Sequence, residues 1–275
     1  MTVPALSSPL AALGLALACL APVPCVAKDG PVAVDAELVI AVDVSYSMDA
    51  EEQKLQRGGY VQAMTSAEFL NALRLGAHGK VAITYIEWAS YNDQKTVMPW
   101  TLIDGPEAAQ AFADDLAQAP IRRAARTSVS GAIDASVRSF TGNGFDGARR
   151  VIDVSGDGPN NNGRPVTAAR DEAVAQGITI NGLPLVDIRP YIGMMDIKEL
   201  DIYYEDCVIG GPGAFMIPVN STKKFVDATR TKMVLEIAGL APPAAEEPLV
   251  KKASSAEPRI SCLVGEGLWQ RRFGN

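Results

Sequence analysis

The stretch VIAVDVSYSM, residues 39–48, decides how the rest of the chain is read. Leu38 to Val42 is a continuous apolar run rich in β-branched residues, the pattern of a strand buried on both faces. The run then gives way to Asp43, Ser45 and Ser47, three oxygen-bearing side chains at alternate positions. In open parallel α/β sheets, the carboxyl edge of the strands is where ligands bind. A carboxylate and two hydroxyls at that edge pose a question of oxygen ligation.

Downstream, helical and extended patterns alternate. Residues 48–80 read mainly as one helix, with Asp49, Glu51 and Glu52 in its first turn suiting the positive end of the helix dipole. KVAITYIEWAS (80–90) is a second strand, and TVMPWTLI (96–103) a third whose Pro99 marks a sheet edge. GPEAAQAFADDLAQAP (105–120) is a helix framed by prolines. In RTSVSGAIDASVRSF (126–140), Val129, Ala132, Ile133, Val137 and Phe140 keep the 3.6-residue period, so a helix opens just after Thr127. RRVIDVSGDG (149–158) is a strand ending in small and acidic residues; a helix at 165–177 and a strand at 178–186 follow. After an insertion at 187–213, AFMIPVN (214–220) is the last strand. The helix of 221–239 closes the fold, with Ser221 as N-cap and Gly239 as stop. This alternation predicts an α/β fold with a mainly parallel central sheet covered on both faces. Residues 240–258, rich in Pro, Ala and charge, read as a linker or flexible tail.

Three polar sites thus fall at corresponding ends of core elements: Asp43/Ser45/Ser47, Thr127, and Asp157. Two carboxylates and three hydroxyls are hard donors suited to Mg²⁺, or to Mn²⁺ or Ca²⁺. Asn160, Asn161 and Asn162 follow Asp157, either as further ligands or as a tight turn. Asp153 is read as a buried or edge carboxylate with a local partner, since a lone buried charge is expensive. Half-exposed packing is the reading for Trp88, beside Glu87, and a surface turn for His78, the one histidine.

VIAVDVSYSM, RTSVSGAI and VIDVSGDG, in this order, resemble a von Willebrand factor A (vWA) domain. The resemblance implies a three-layer α/β/α, Rossmann-like fold and a metal-ion-dependent adhesion site (MIDAS) made of Asp43, Ser45, Ser47, Thr127 and Asp157. The phrases DVSYSMD, RRVIDVSGDGPNN, INGLPL and CVIGGPGAF are similar to a bacterial family known as DUF1194, which carries no activity to transfer. The vWA resemblance further implies a partner protein that presents an acidic side chain to a bridging cation. Read this way, the chain is a metal-dependent binding module of the adhesion type, without catalysis.

The compartment is read from the ends. Residues 1–27 hold no charged side chain, include the short apolar core Ala11 to Leu20, and end on the small-x-small CVA. They are expected to be a signal peptide, with the vWA-like domain over 28–239 and a C-terminal extension over 240–275. The expected location is the periplasm or outside the cell, with no membrane span after cleavage. Removal of Cys19 and Cys25 would leave Cys207 and Cys262, expected as a disulfide tethering the extension, the alternative being two buried thiols. The net charge of −7 without a basic block argues against nucleic acid.

Enzymatic readings fare worse. Ser155 lacks the Gly-x-Ser-x-Gly elbow. A Mg²⁺-dependent phosphatase of the haloacid-dehalogenase kind would want a second acid where Ser45 stands. A zinc site lacks His and Cys ligands.

Overall fold

The apolar run at 37–43 is buried at every position, and its two faces feed two separate cores. Leu38, Ile40 and Val42 point to one side, and Val39 and Ala41 to the other, as the two-residue period of a strand requires. A computed structural model describes residues 30–186, 197–239, 250–253 and 257–274. In chain order the strands are β1 (Val32–Val34), β2 (Glu37–Asp43), β3 (Val81–Trp88), β4 (Gln94–Ile103), β5 (Phe145–Gly147), β6 (Arg150–Gly156), β7 (Ile178–Pro184), β8 (Phe215–Met216) and β9 (Lys251–Lys252). The helices are α1 (Ala50–Met64), α2 (Ala67–Arg74), α3 (Pro106–Gln118), α4 (Val129–Ser139), α5 (Val166–Ala175), α6 (Leu200–Tyr203), α7 (Phe225–Ala238) and α8 (Val264–Phe273).

The main sheet runs β4-β3-β2-β6-β7-β8-β9. Its centre is parallel, with β2 between β3 and β6, while β4 and β9 are antiparallel edges. Tyr60, Phe69, Phe112 and Phe225, from α1, α2, α3 and α7, cover one face. Val129, Ile133, Val166 and Tyr203, from α4, α5 and α6, cover the other. This is the expected three-layer α/β/α arrangement. Pro99 sits where the β3–β4 register shifts, so its missing N–H is not needed by the ladder.

Several local expectations are corrected. The helix expected across 48–80 is two helices, because Ser66 accepts from the Phe69 N–H at 3.2 Å and caps a new one. At its start the forecast of acidic residues is met by a capping box: Asp49 accepts from the N–H groups of Glu51 and Glu52, and Glu52 accepts from that of Asp49. Ser221 does not cap α7; a 3₁₀ turn at Thr222–Lys224 intervenes and Lys224 takes the N-cap position. Gly239 does end α7, in the left-handed region at φ 63°. The last core strand shrinks to Phe215–Met216, with a further bridge from Val219 to Leu185 beyond Pro218. Trp88 is fully buried rather than half-exposed.

Within the stretch read as a linker, 240–258, the described residues include a strand, while the expected disulfide and an unassigned helix lie beyond it. Lys251–Lys252 form β9 against β8, and Val264–Phe273 form a helix. Cys207 and Cys262 are bonded, with Cα atoms 5.5 Å apart. The small β1–β5 sheet was not foreseen either. The expected leader at 1–27 and part of the tail lie outside the described residues. Among the described residues no helix is long and apolar enough to cross a membrane.

Candidate metal centre

At the carboxyl end of β2 the Asp43 side chain is buried, and its Oδ1 accepts from the Ser45 N–H at 2.7 Å, turning the chain back over the edge. Ser45 Oγ and Ser47 Oγ lie 2.7 Å apart, and Ser47 Oγ donates to Asp157 Oδ1 at 2.7 Å. Asp157 arrives there because β6 is the parallel neighbour of β2 and leaves the sheet at the same edge. Four of the five expected residues therefore form one hydrogen-bonded chain. Thr127, from the loop before α4, lines a cavity of about 250 Å³ with Ser45 and Ser47.

The asparagines tie the surrounding loops together. Asn161 Oδ1 accepts from the Thr127 N–H at 3.0 Å while the Asn161 N–H donates to the Thr127 carbonyl at 2.8 Å. Asn160 Oδ1 accepts from the Ser130 N–H, and Asn162 Oδ1 from the Tyr91 N–H. Each side-chain oxygen is engaged by a backbone N–H, so the run braces the Asp157 loop against the start of α4 and against the turn between β3 and β4.

Burial and crowding disfavour a second negative charge at this edge. Burial, and then the Asp157 charge, push the Asp43 carboxyl well above the usual carboxylate range. Asp43 Oδ2 is buried and has no hydrogen-bond partner. Gly156 permits this crowding, since a Cβ there would stand 3.0 Å from both Asp43 Oδ2 and Tyr204 Oη. Among the described residues no group of three or more His, Cys, Asp or Glu could hold a metal. The donor set here is two carboxylates and three hydroxyls, which suits a hard divalent cation that keeps water ligands. The orphaned Asp43 oxygen is where such an ion would relieve an unmet charge.

The other singled-out residues have structural occupations. Asp153 pairs with Lys232 at 2.6 Å and accepts from Tyr60 Oη. Glu87 is held between Arg57 and Arg122. Ser155 is buried and accepts from Gln56 Nε2, while His78 is exposed in the turn before β3. Sequence reasoning missed Arg126 and Trp269, which line the cavity with the serines. No periodic signal in GLWQRRF, residues 267–273, points back to the site.

The sheet order and the helical layers are those of a vWA-like fold. Solved structures share the fold. Proximal thread matrix protein 1 from the mussel byssus, with a zinc-occupied MIDAS motif, matches at TM-score 0.52 and 14% identity, over 76% of this chain and 49% of that one. The von Willebrand factor type A protein from Catenulispora acidiphila matches at 0.51 and 11%, over 74% and 43%. The pilus adhesin SpaC from Lactobacillus rhamnosus GG matches at 0.52 and 14%, over 77% and 31%. This chain thus spans half or less of the length of these proteins. More particularly, the chain belongs to the family described as "Protein of unknown function (DUF1194)", which matches residues 33–241. No curated protein matches significantly.

Proposed function

We propose that this protein is an exported binding module that takes an acidic group of a partner protein through a divalent cation at Asp43, Ser45, Ser47, Thr127 and Asp157. The observation that carries the reading is the buried Asp43 carboxylate, with one oxygen unpartnered, in a hydroxyl chain leading to Asp157. Mg²⁺ is the expected ion, with Mn²⁺ and Ca²⁺ as alternatives. The zinc in the mussel protein's MIDAS and the adhesin among the fold's relatives lend support from outside the chain.

In this reading the residues have distinct tasks. Asp43 and Asp157 supply negative charge, and the three hydroxyls supply neutral oxygen. The asparagine brace holds Thr127 in place. The ion, when bound, supplies an electrophilic position for an incoming carboxylate. No bond is made or broken.

The test is thermal unfolding with Mg²⁺, Mn²⁺, Ca²⁺, Zn²⁺ or chelator, beside Asp43→Ala and Asp157→Ala. An ion at 100 times its Kd adds about 2.7 kcal/mol by linkage, or roughly 5–10 °C for a domain of this size. The expected result is a gain in wild type and none in either variant. If no ion shifts wild type, the oxygen network merely stabilises the loops and the adhesion reading falls.

A further inference from the structure

The cavity beside the serines has a second wall, built outside the span matched by the family. Trp269 of α8 lines it, and the Arg126 guanidinium lies over the Trp269 ring, 3.2 Å from the centroid. Trp269 is in turn stacked on Phe273 at 4.2 Å. A stacked guanidinium spends its flat face, whereas its N–H donors radiate in the plane. Those donors have no hydrogen bond or ion pair among the described residues, although most other arginines there do. Arg126 is also the one non-glycine described residue in the left-handed region, at φ 76°. Such strain persists only where the surroundings enforce it, and it gathers at binding sites. Here Thr127, immediately after it, is pinned by Asn161, and Trp269 holds the side chain.

We propose that Arg126 is a ligand-contacting residue, whose free N–H edge receives the carboxylate entering the cavity, with Trp269 as its positioning platform. This rests on the acid-binding reading above and deepens it. The protein is acidic overall, so a guanidinium left without a carboxylate at the mouth of the site is selective for one brought from outside. The carboxylate comes from a protruding acidic side chain or from a free small acid, since the cavity of about 250 Å³ suits a single group rather than a flat face. The C-terminal extension thereby becomes part of the recognition site.

The test is calorimetric titration of the Mn²⁺-loaded full chain with acetyl-Gly-Asp-Gly-amide, with its Asn counterpart and with glutarate. Mn²⁺ affinity is measured separately by paramagnetic resonance. Arg126→Gln should weaken acid binding at least tenfold and leave Mn²⁺ affinity within twofold of wild type; Arg126→Lys should fall between. Preference for the Asp peptide over glutarate identifies a protein segment as the source, and the reverse a free acid. Trp269→Ala, which leaves the Arg126 backbone alone, should weaken acid binding severalfold and serves if Arg126→Gln fails to fold. Unchanged acid binding in these variants, or no acid binding by Mn²⁺-loaded wild type, overturns the proposal. If wild type takes no Mn²⁺, the metal reading fails by itself, and the ion-free titrations decide. Acid binding lost in Arg126→Gln sustains the role of Arg126; binding unaltered or absent removes it.

Discussion

Ser47 and Asp157, 110 residues apart in sequence, are joined by a 2.7 Å hydrogen bond from hydroxyl to carboxylate Oδ1. The bond exists because β2 and β6 are parallel neighbours that leave the sheet together, and it passes on through Ser45. Hydrogen bonds to charged groups contribute about 1.5–3 kcal/mol. Ser47→Ala should therefore lower ion-free stability by about 1–2 kcal/mol and also shrink the stabilisation by Mn²⁺. Urea unfolding with and without the ion measures both. A variant that keeps the full ion-dependent gain would remove Ser47 from the donor set.

Asn161 makes a different prediction, because it lines the cavity but its hydrogen bonds go to the backbone of Thr127. Asn161→Ala deletes the acceptor for a buried N–H, an omission that costs about 1–3 kcal/mol. Thr127 then loses its aim, and Mn²⁺ affinity should drop about tenfold, one hydrogen bond's worth. Mn²⁺ titration followed by paramagnetic resonance reads this directly. Lower stability with unchanged affinity would show that Thr127 is aimed by something else.

What the sequence made legible follows from what carries periodic signal. The runs that became β2, β3, β6 and β7 are mostly apolar and almost wholly buried because both faces of the sheet are covered, and the polar residues ending two of them mark one edge. Parallel neighbours then bring Asp43 and Asp157 together with no further information. Thr65–Ser66 was harder to read, since a cap inside a helical pattern looks like a surface polar pair. The helix at the end of the chain was left unread for a stronger reason. Val264–Phe273 has little amphipathic pattern of its own, and its position depends on the Cys207–Cys262 bond and on Arg259 meeting Asp206 at 2.7 Å. Arg126 and Trp269 meet through long-range contacts of this kind, so neither could be assigned to the site from local sequence.

Glu236 predicts a pH dependence away from the site. Its carboxyl is buried beside Lys232 and Asn181; burial first and the Asp153 charge second raise it to about 7, against the pull of Lys232. An unfolded glutamate titrates near 4.5. Between these values the native state binds more protons than the unfolded chain, so stability falls as pH rises. The contribution is complete below about pH 4.5 and gone above about pH 7, on the order of 3 kcal/mol in all. Glu236→Gln keeps an acceptor for Lys232 and Asn181, and should flatten the profile across this window. Urea midpoints at pH 5, 6 and 7.5 test it. An equal slope in the variant would place the titration on another group.

Gly265 tests whether the seat of α8 is specific. It lies in the first turn of the helix against the Pro159–Asn160 turn, and a Cβ there would stand 2.0 Å from the Asn160 carbonyl oxygen. That oxygen belongs to the backbone of the loop carrying Asp157, so it cannot swing aside like a side-chain tip. Next to it, Glu266 accepts from Asn160 Nδ2 at 2.7 Å. Alanine is the better helix former by about 1 kcal/mol, and propensity alone would make Gly265→Ala stabilising. The contact should win, because the clash can be relieved only by lifting α8 off the loop. The disulfide at Cys262 keeps the helix nearby, so the expected result is a loosened cap rather than a lost one. Amide exchange over 264–273 should speed up at least tenfold while β2 and β6 keep their protection. Trp269 should also become more accessible to a fluorescence quencher. Unchanged exchange in the alanine variant would mean that α8 packs on this loop without a fixed register, and that the wall it gives the cavity is incidental.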